Sequence, residues 1–188
     1  GMFGHLKRKK GGAFLLDALR RAPVEGRLHL LVVGDAEPEM LAHLASIEST
    51  VPWTHVPFVD RFELLPFYAA CDAVVLPSFY DGMPNVLLEA GVLGVPPVAS
   101  TAGGMADLLV GGENALTFAP GDLHACRTAL HDLATIPAER LRLFGERLRA
   151  TILRDYRHDL EASRYQALLA DTLGRTPRPA AAAAATTL

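Results

Sequence analysis

Ala73-Val74-Val75-Leu76-Pro77-Ser78-Phe79-Tyr80-Asp81-Gly82-Met83-Pro84-Asn85-Val86-Leu87-Leu88-Glu89-Ala90-Gly91 reads as a strand, a loop and a helix in succession. Ala73 to Pro77 is apolar without alternation, the pattern of a strand covered on both faces and so of a parallel sheet. A polar loop containing Gly82 follows. The helix begins near Pro84, where proline is tolerated because first-turn N–H groups lack helical partners. The free N–H groups of Asn85, Val86 and Leu87 would point out of that start, an arrangement that attracts phosphate.

Similar elements repeat on both sides. Leu28 to Gly34, Pro97 to Ser100 and Ala115 to Phe118 read as buried strands, with a weaker one at His55 to Val59. Between them, Phe14, Leu15, Ala18, Leu19 and Ala22 share a helical face opposite Asp17, Arg20 and Arg21. Glu37 to Thr50, Arg61 to Cys71 and Pro84 to Leu93 also read as helices. After Phe118 the chain is helical only: Asp122 is an N-cap for a helix to Ala134, Leu141, Phe144, Leu148 and Ile152 recur at helical spacing, and a last helix covers about Asp159 to Leu173. Alternating strands and helices predict an α/β fold, a doubly wound, Rossmann-like parallel sheet with extra C-terminal helices. Ligands in such sheets bind beyond the carboxyl ends of the strands. One domain is expected over 1–173, with 174–188, including Ala180 to Ala185, a disordered tail.

Glu89 falls within the Pro84 helix among Val86, Leu87, Leu88, Ala90, Val92 and Leu93, so the helix is expected to be buried nearly all round. A carboxylate there is costly without a partner. A ribose, whose hydroxyls donate to a carboxylate, is one partner; a neighbouring backbone N–H is another. Asp81 either meets a second polar part of the same ligand or stabilises a turn.

The spacing Asp81-x7-Glu89, in its setting, resembles the E-x7-E signature of retaining glycosyltransferases of family 4, which have the GT-B fold. Further stretches extend the likeness over roughly residues 4 to 173: Tyr68 to Ser78 before the motif; Gly94 to Ser100 and Gly103-Gly104 after it; Gly112 to Leu116 and Pro120-Gly121-Asp122; and near the start Gly4-His5-Leu6 and Lys10-Gly11. The resemblance implies that this chain is the nucleotide-sugar-binding half of a two-domain glycosyltransferase acting with retention of configuration. It implies that Glu89 holds the ribose, that Asp81 contacts the donor sugar with the backbone of Ser78, Gly82 and Met83, and that Lys10 and His5 meet the diphosphate with the helix start Asn85, Val86 and Leu87. Val59, Asp60 and Arg61 match where the family seats the base. Asp81 and Lys10 are the residues expected to carry catalysis.

Departure of a nucleoside diphosphate leaves negative charge that a metal or fixed cations and dipoles must meet. The seven histidines are scattered and there is no D-x-D, so no metal and no cofactor is expected beyond the nucleotide sugar. Three positions depart from the family's pattern: Asp81 is one methylene shorter than glutamate, His5 replaces an arginine and so weakens the cationic lining, and Asp107 replaces a glutamate.

In the GT-B fold an N-terminal domain binds the acceptor. Gly4 already matches the first strand of the second domain, so the missing half is an expected partner, and the isolated chain is expected to bind donor but transfer little sugar. A bare inter-domain face is open to self-association. A second reading keeps the fold without the activity: a donor-like binding or assembly module, favoured by His5 and by the absence of the acceptor-binding half. A third is a GT-B-fold epimerase. A dinucleotide-dependent oxidoreductase is disfavoured, because no G-x-G-x-x-G follows a strand.

The chain's 188 residues suit one domain, and its net charge of −3 argues against a general nucleic-acid binder. Lys7-Arg8-Lys9-Lys10 reads as a solvated loop with one functional lysine. His124 and His131 read as a surface coincidence, and Trp53 as core or rim. Two cysteines, Cys71 and Cys126, suggest no disulfide framework. Gly1-Met2 reads as a cloning remnant before a start methionine. With no leader-like opening and no run of about 18 apolar residues, a cytoplasmic location is expected, at the inner membrane surface in one variant of that reading.

Overall fold

The computed structural model describes residues 1–6, 10–22, 24 and 26–174. Among the described residues, six strands and eight α-helices follow one another: β1 (Met2–Phe3), α1 (Gly12–Arg21), β2 (Leu30–Val33), α2 (Pro38–Ile47), β3 (Trp53–Val56), α3 (Leu65–Ala69), β4 (Val74–Leu76), α4 (Asn85–Val92), β5 (Pro97–Ser100), α5 (Met105–Leu108), β6 (Leu116–Phe118), α6 (Leu123–Thr135), α7 (Ala138–Asp155) and α8 (His158–Thr172). They belong to two compact units, Gly1–Ala150 and the segment from Thr151. The tail expected to be disordered lies, from residue 175 on, outside the described residues.

The strands form two parallel three-stranded sheets, β1-β2-β3 and β4-β5-β6. Gly1 links them: its amino group donates to the Ala73 carbonyl at 2.7 Å, and the Val75 N–H donates to the Gly1 carbonyl at 2.8 Å. One residue bonding to both flanks of its opposite number is the parallel pattern. The order across the first unit is therefore β3-β2-β1-β4-β5-β6, the doubly wound arrangement expected from the sequence. After β1 the chain winds outward one way, and after β4 the other. Gly1 and Met2 are thus sheet residues, with Met2 paired to Val32.

Both faces are covered, which explains the unbroken apolar strands. Met2, Leu30, Val32 and Val75 enter one core with Leu15 and Leu19 of α1, Leu44 and Ile47 of α2, and Leu130 of α6. The alternate residues Phe3, Val33 and Val74 enter another with Tyr68 of α3 and Ala90 of α4. Trp53 packs partly buried against the first core.

Three expectations are corrected. The weak strand at His55 to Val59 lies earlier, at Trp53–Val56, because Pro57 has no N–H to continue the ladder. The helix drawn over Arg61 to Cys71 is broken into a 3-10 turn, Arg61–Glu63, and the short α3. Asp60 caps the turn by accepting from the Phe62 N–H at 2.9 Å, and Pro66 fits only a first helical turn, so α3 begins beside it. Third, α4 is not buried all round: Leu87, Ala90 and Gly91 are buried while Val92 and Leu93 stay exposed. A helix resting on a sheet covers one of its sides, and the residues on the far side stay in solvent. The cap at Asp122 forms as expected, accepting from the Ala125 N–H at 2.9 Å.

Candidate functional site at the crossing of beta1 and beta4

The loops leaving the carboxyl ends of β1 and β4 meet where the winding reverses, the place at which such sheets bind ligands. The first carries His5 and Lys10, both exposed. Between them Leu6 is fully buried and its N–H donates to the Asp35 carbonyl at 2.7 Å. Gly11 has φ +79°, and a Cβ there would collide with the Pro77 carbonyl oxygen. Only glycine lets this turn lie against the end of β4. The result is a small cleft lined by His5, Lys10, Ser78, Asp81, Pro84 and Val86 among others.

The loop after β4 is held from beneath. Ser100, fully buried on β5, donates to the Ser78 carbonyl at 2.6 Å. The Ser78 hydroxyl makes a long 3.5 Å contact to Asp81 Oδ2. The Gly104 N–H donates to the Gly82 carbonyl at 2.8 Å. Gly103 has φ +53°, and a side chain there would collide with the Asp81 carbonyl oxygen. With the carbonyls of Ser78 and Gly82 engaged from beneath, the Asp81 side chain lines the cleft. Gly82 is exposed and Met83 half-buried.

α4 leaves this loop after Pro84. Asn85 and Val86 occupy its first positions, whose N–H groups have no partner within a helix. The Leu87 N–H departs from expectation: it donates to the Pro84 carbonyl at 3.0 Å, because the first turn is tightened to three-residue spacing. The Leu87 side chain is fully buried, so Leu87 offers the cleft neither its amide nor its side chain.

Glu89 lies one turn beyond Asn85 on the same face. Its side chain is 32% exposed, and its Oε1 is 3.9 Å from an Arg61 nitrogen. Its Oε2 accepts from the Tyr68 hydroxyl at 2.7 Å. The partner is therefore a side chain, and neither a ribose nor a backbone N–H is needed to explain its tolerance within the fold. Burial, then the Glu89 hydrogen bond and charge, push the Tyr68 phenol well above its ordinary value. The Arg61 head is mostly in solvent, so the pair is worth little, about 0–1 kcal/mol. Val59 packs on the Phe3–Tyr68 core.

A sequence profile of the family described as glycosyl transferases group 1 matches residues 1–135. The chain belongs to that family. Curated relatives include a glycogen synthase of Mycobacterium tuberculosis, 30% identical over 183 residues that cover 94% of this chain and 44% of that protein. A D-inositol 3-phosphate glycosyltransferase of Pseudarthrobacter chlorophenolicus is 32% identical over 120 residues, 60% of this chain and 29% of that protein. The chain thus spans less than half the length of these relatives. Among solved structures, sucrose-phosphate synthase from Thermosynechococcus elongatus superposes with a TM-score of 0.75 at 24% identity, over 92% of this chain and 45% of the other. Anabaena Alr3699/HepE, solved in complex with UDP and glucose, gives 0.70 at 23% identity, over 92% of this chain and 48% of its own. These likenesses show a GT-B-type Rossmann-like domain.

Within this group 1 domain, the structure brings His5, Lys10, Ser78, Asp81 and Val86 together in the cleft at the β1/β4 crossing; Gly82 and Met83 follow in the same loop and Asn85 opens α4, Glu89 lies one turn along α4 with Arg61 beside it, and Val59 and Asp60 precede Arg61 in sequence. The Asp60 carboxylate is engaged in capping. Sequence reasoning gave no role to Tyr68 or Ser100. Both lie in stretches it singled out, but their partners are 21 and 22 residues distant, a pairing that no local pattern announces. Among the described residues no helix is long and apolar enough to cross a membrane.

Proposed function

We propose that this chain is the donor-binding half of a family 4 glycosyltransferase that moves a sugar from a nucleoside diphosphate to an acceptor with retention of configuration. The observation that carries the reading is the meeting of Lys10, Asp81 and the open amides of Asn85 and Val86 at the β1/β4 crossing, with Glu89 one turn along the same helix face. Lys10 and the helix start meet the charge that develops on the departing diphosphate, supplying without a metal what the reaction requires. Asp81 accepts from hydroxyls of the donor sugar. Glu89 accepts from the ribose, and the base lies against Val59, Asp60 and Arg61. The acceptor is held by a further domain, so the chain alone binds donor and transfers little sugar.

The test is calorimetric titration of the chain with UDP, GDP and ADP. One of them is expected to bind, and Lys10→Ala and Glu89→Ala each to weaken it roughly ten-fold or more, the loss expected for a hydrogen bond to a charged group. Absence of binding by all three would overturn the reading. A second reading, a binding module without transferase activity, draws on His5, whose imidazole is a weaker diphosphate partner than a guanidinium. It predicts nucleotide binding but no sugar transfer when the acceptor domain is supplied.

A further inference from the structure

We propose that Tyr68 is a positioning residue: its hydroxyl fixes the Glu89 carboxylate so that Oε1 is presented to the ribose, and so it sets how strongly this site distinguishes ribose from deoxyribose. The inference rests on the donor-site reading above and deepens it. Tyr68 is 1% exposed, and its ring packs on Phe3 with centroids 4.1 Å apart. It sits in the core that also holds Val33, Val74 and Ala90. The ring cannot swing, so the hydroxyl is a fixed post. From there it donates to Glu89 Oε2 at 2.7 Å. A glutamate on a helix otherwise samples several rotamers, and ordering it at the moment of binding weakens affinity. Here the core pays that cost in advance.

The two oxygens are thereby made unequal. Oε2 is turned inward and engaged. Oε1 faces the side of Arg61, whose head stands 3.9 Å off and mostly in solvent, free to move aside. A carboxylate oxygen with open lone pairs accepts from neighbouring hydroxyls on one sugar ring. The phenol remains a donor throughout the working pH range, because burial and the adjacent carboxylate oppose its ionisation. The 3-10 turn at Arg61–Glu63 and the break before α3 gain a purpose on this view, since they bring Tyr68 to α4 across 21 residues of sequence.

The experiment compares UDP with 2′,3′-dideoxy-UDP on the full chain and on Tyr68→Phe, by calorimetry, with the GDP and ADP pairs run alongside and the ratio taken for whichever base binds. Tyr68→Phe keeps the ring and its packing. The ratio of the two affinities is expected to fall roughly three- to ten-fold in Tyr68→Phe, the worth of one hydrogen bond, while dideoxy binding stays within about twofold. An unchanged ratio, or equal weakening of both probes, would overturn the inference and leave the donor site standing. No binding of any nucleotide by the unaltered chain would overturn both.

Discussion

Single atoms decide much of the site. The Ser100 hydroxyl is the donor to a buried carbonyl at Ser78. Ser100→Ala leaves that carbonyl unsatisfied and is expected to cost about 1–3 kcal/mol, read as a lower urea midpoint at unchanged slope. Cys126 is completely buried, and burial, with the Asp122 carboxylate adding to it, pushes its thiol up to about 12. The folded state therefore holds this proton more tightly than the unfolded one. The stability it contributes is present below about pH 9 and lost as pH rises towards 12. Tyr68 acts in the same direction above about pH 10. Unfolding free energies measured from pH 8 to 11 should decline, and less steeply in Cys126→Ala. A thiol reagent at pH 8 should label Cys71, which is only half-buried, and reach Cys126 only on addition of denaturant. At this scale the sequence singled out Asp81 and Glu89 by their charge and spacing and Lys10 by the resemblance of its setting, and the structure brings Lys10 and Asp81 to one cleft. The sequence was silent on Tyr68 and Ser100, whose meaning lies in partners that the fold alone brings near.

Elements were legible in proportion to their contrast. β5 falls where its apolar run stands, and α6 begins at the expected cap. Asp122→Ala should cost about 1 kcal/mol and lower the thermal midpoint by about 2–4 °C. Elements interrupted by proline were misjudged, β3 at Pro57 and the α3 region at Pro66, because apolar runs outweighed a missing N–H in the reading. α4 was misjudged for the opposite reason. A helix apolar on all sides carries no polar stripe, so periodicity cannot say which face is covered. The loop before it depends on a neighbour distant in sequence. Gly103→Ala would drive a Cβ into the Asp81 carbonyl at a backbone angle that suits glycine. It should destabilise by more than about 1 kcal/mol and weaken nucleotide binding together with stability, whereas Lys10→Ala should weaken binding alone. Thermal unfolding with and without UDP separates the two.

Over the whole molecule, the alternation of strands and helices dictated the doubly wound order, and both faces of the sheet are filled as unbroken apolar strands require. Stability should be graded accordingly. Amides of Val32, Val75 and Ala99, in strands flanked on both sides, should exchange with solvent only through global opening, whereas those of α8, exposed along nearly its whole length from Glu161 to Leu169, should exchange orders of magnitude faster. Hydrogen exchange followed by mass spectrometry reads both. The link through Gly1 has a consequence of its own. A seam runs down the middle of the sheet where β1 meets β4, and Gly1 crosses it with two hydrogen bonds. A ligand touching Lys10 on one side and Asp81 and Glu89 on the other lies across that seam as a suture. Its binding should slow exchange at Val75 more than at Ala99, so that what the site grips also makes two half-sheets open as one.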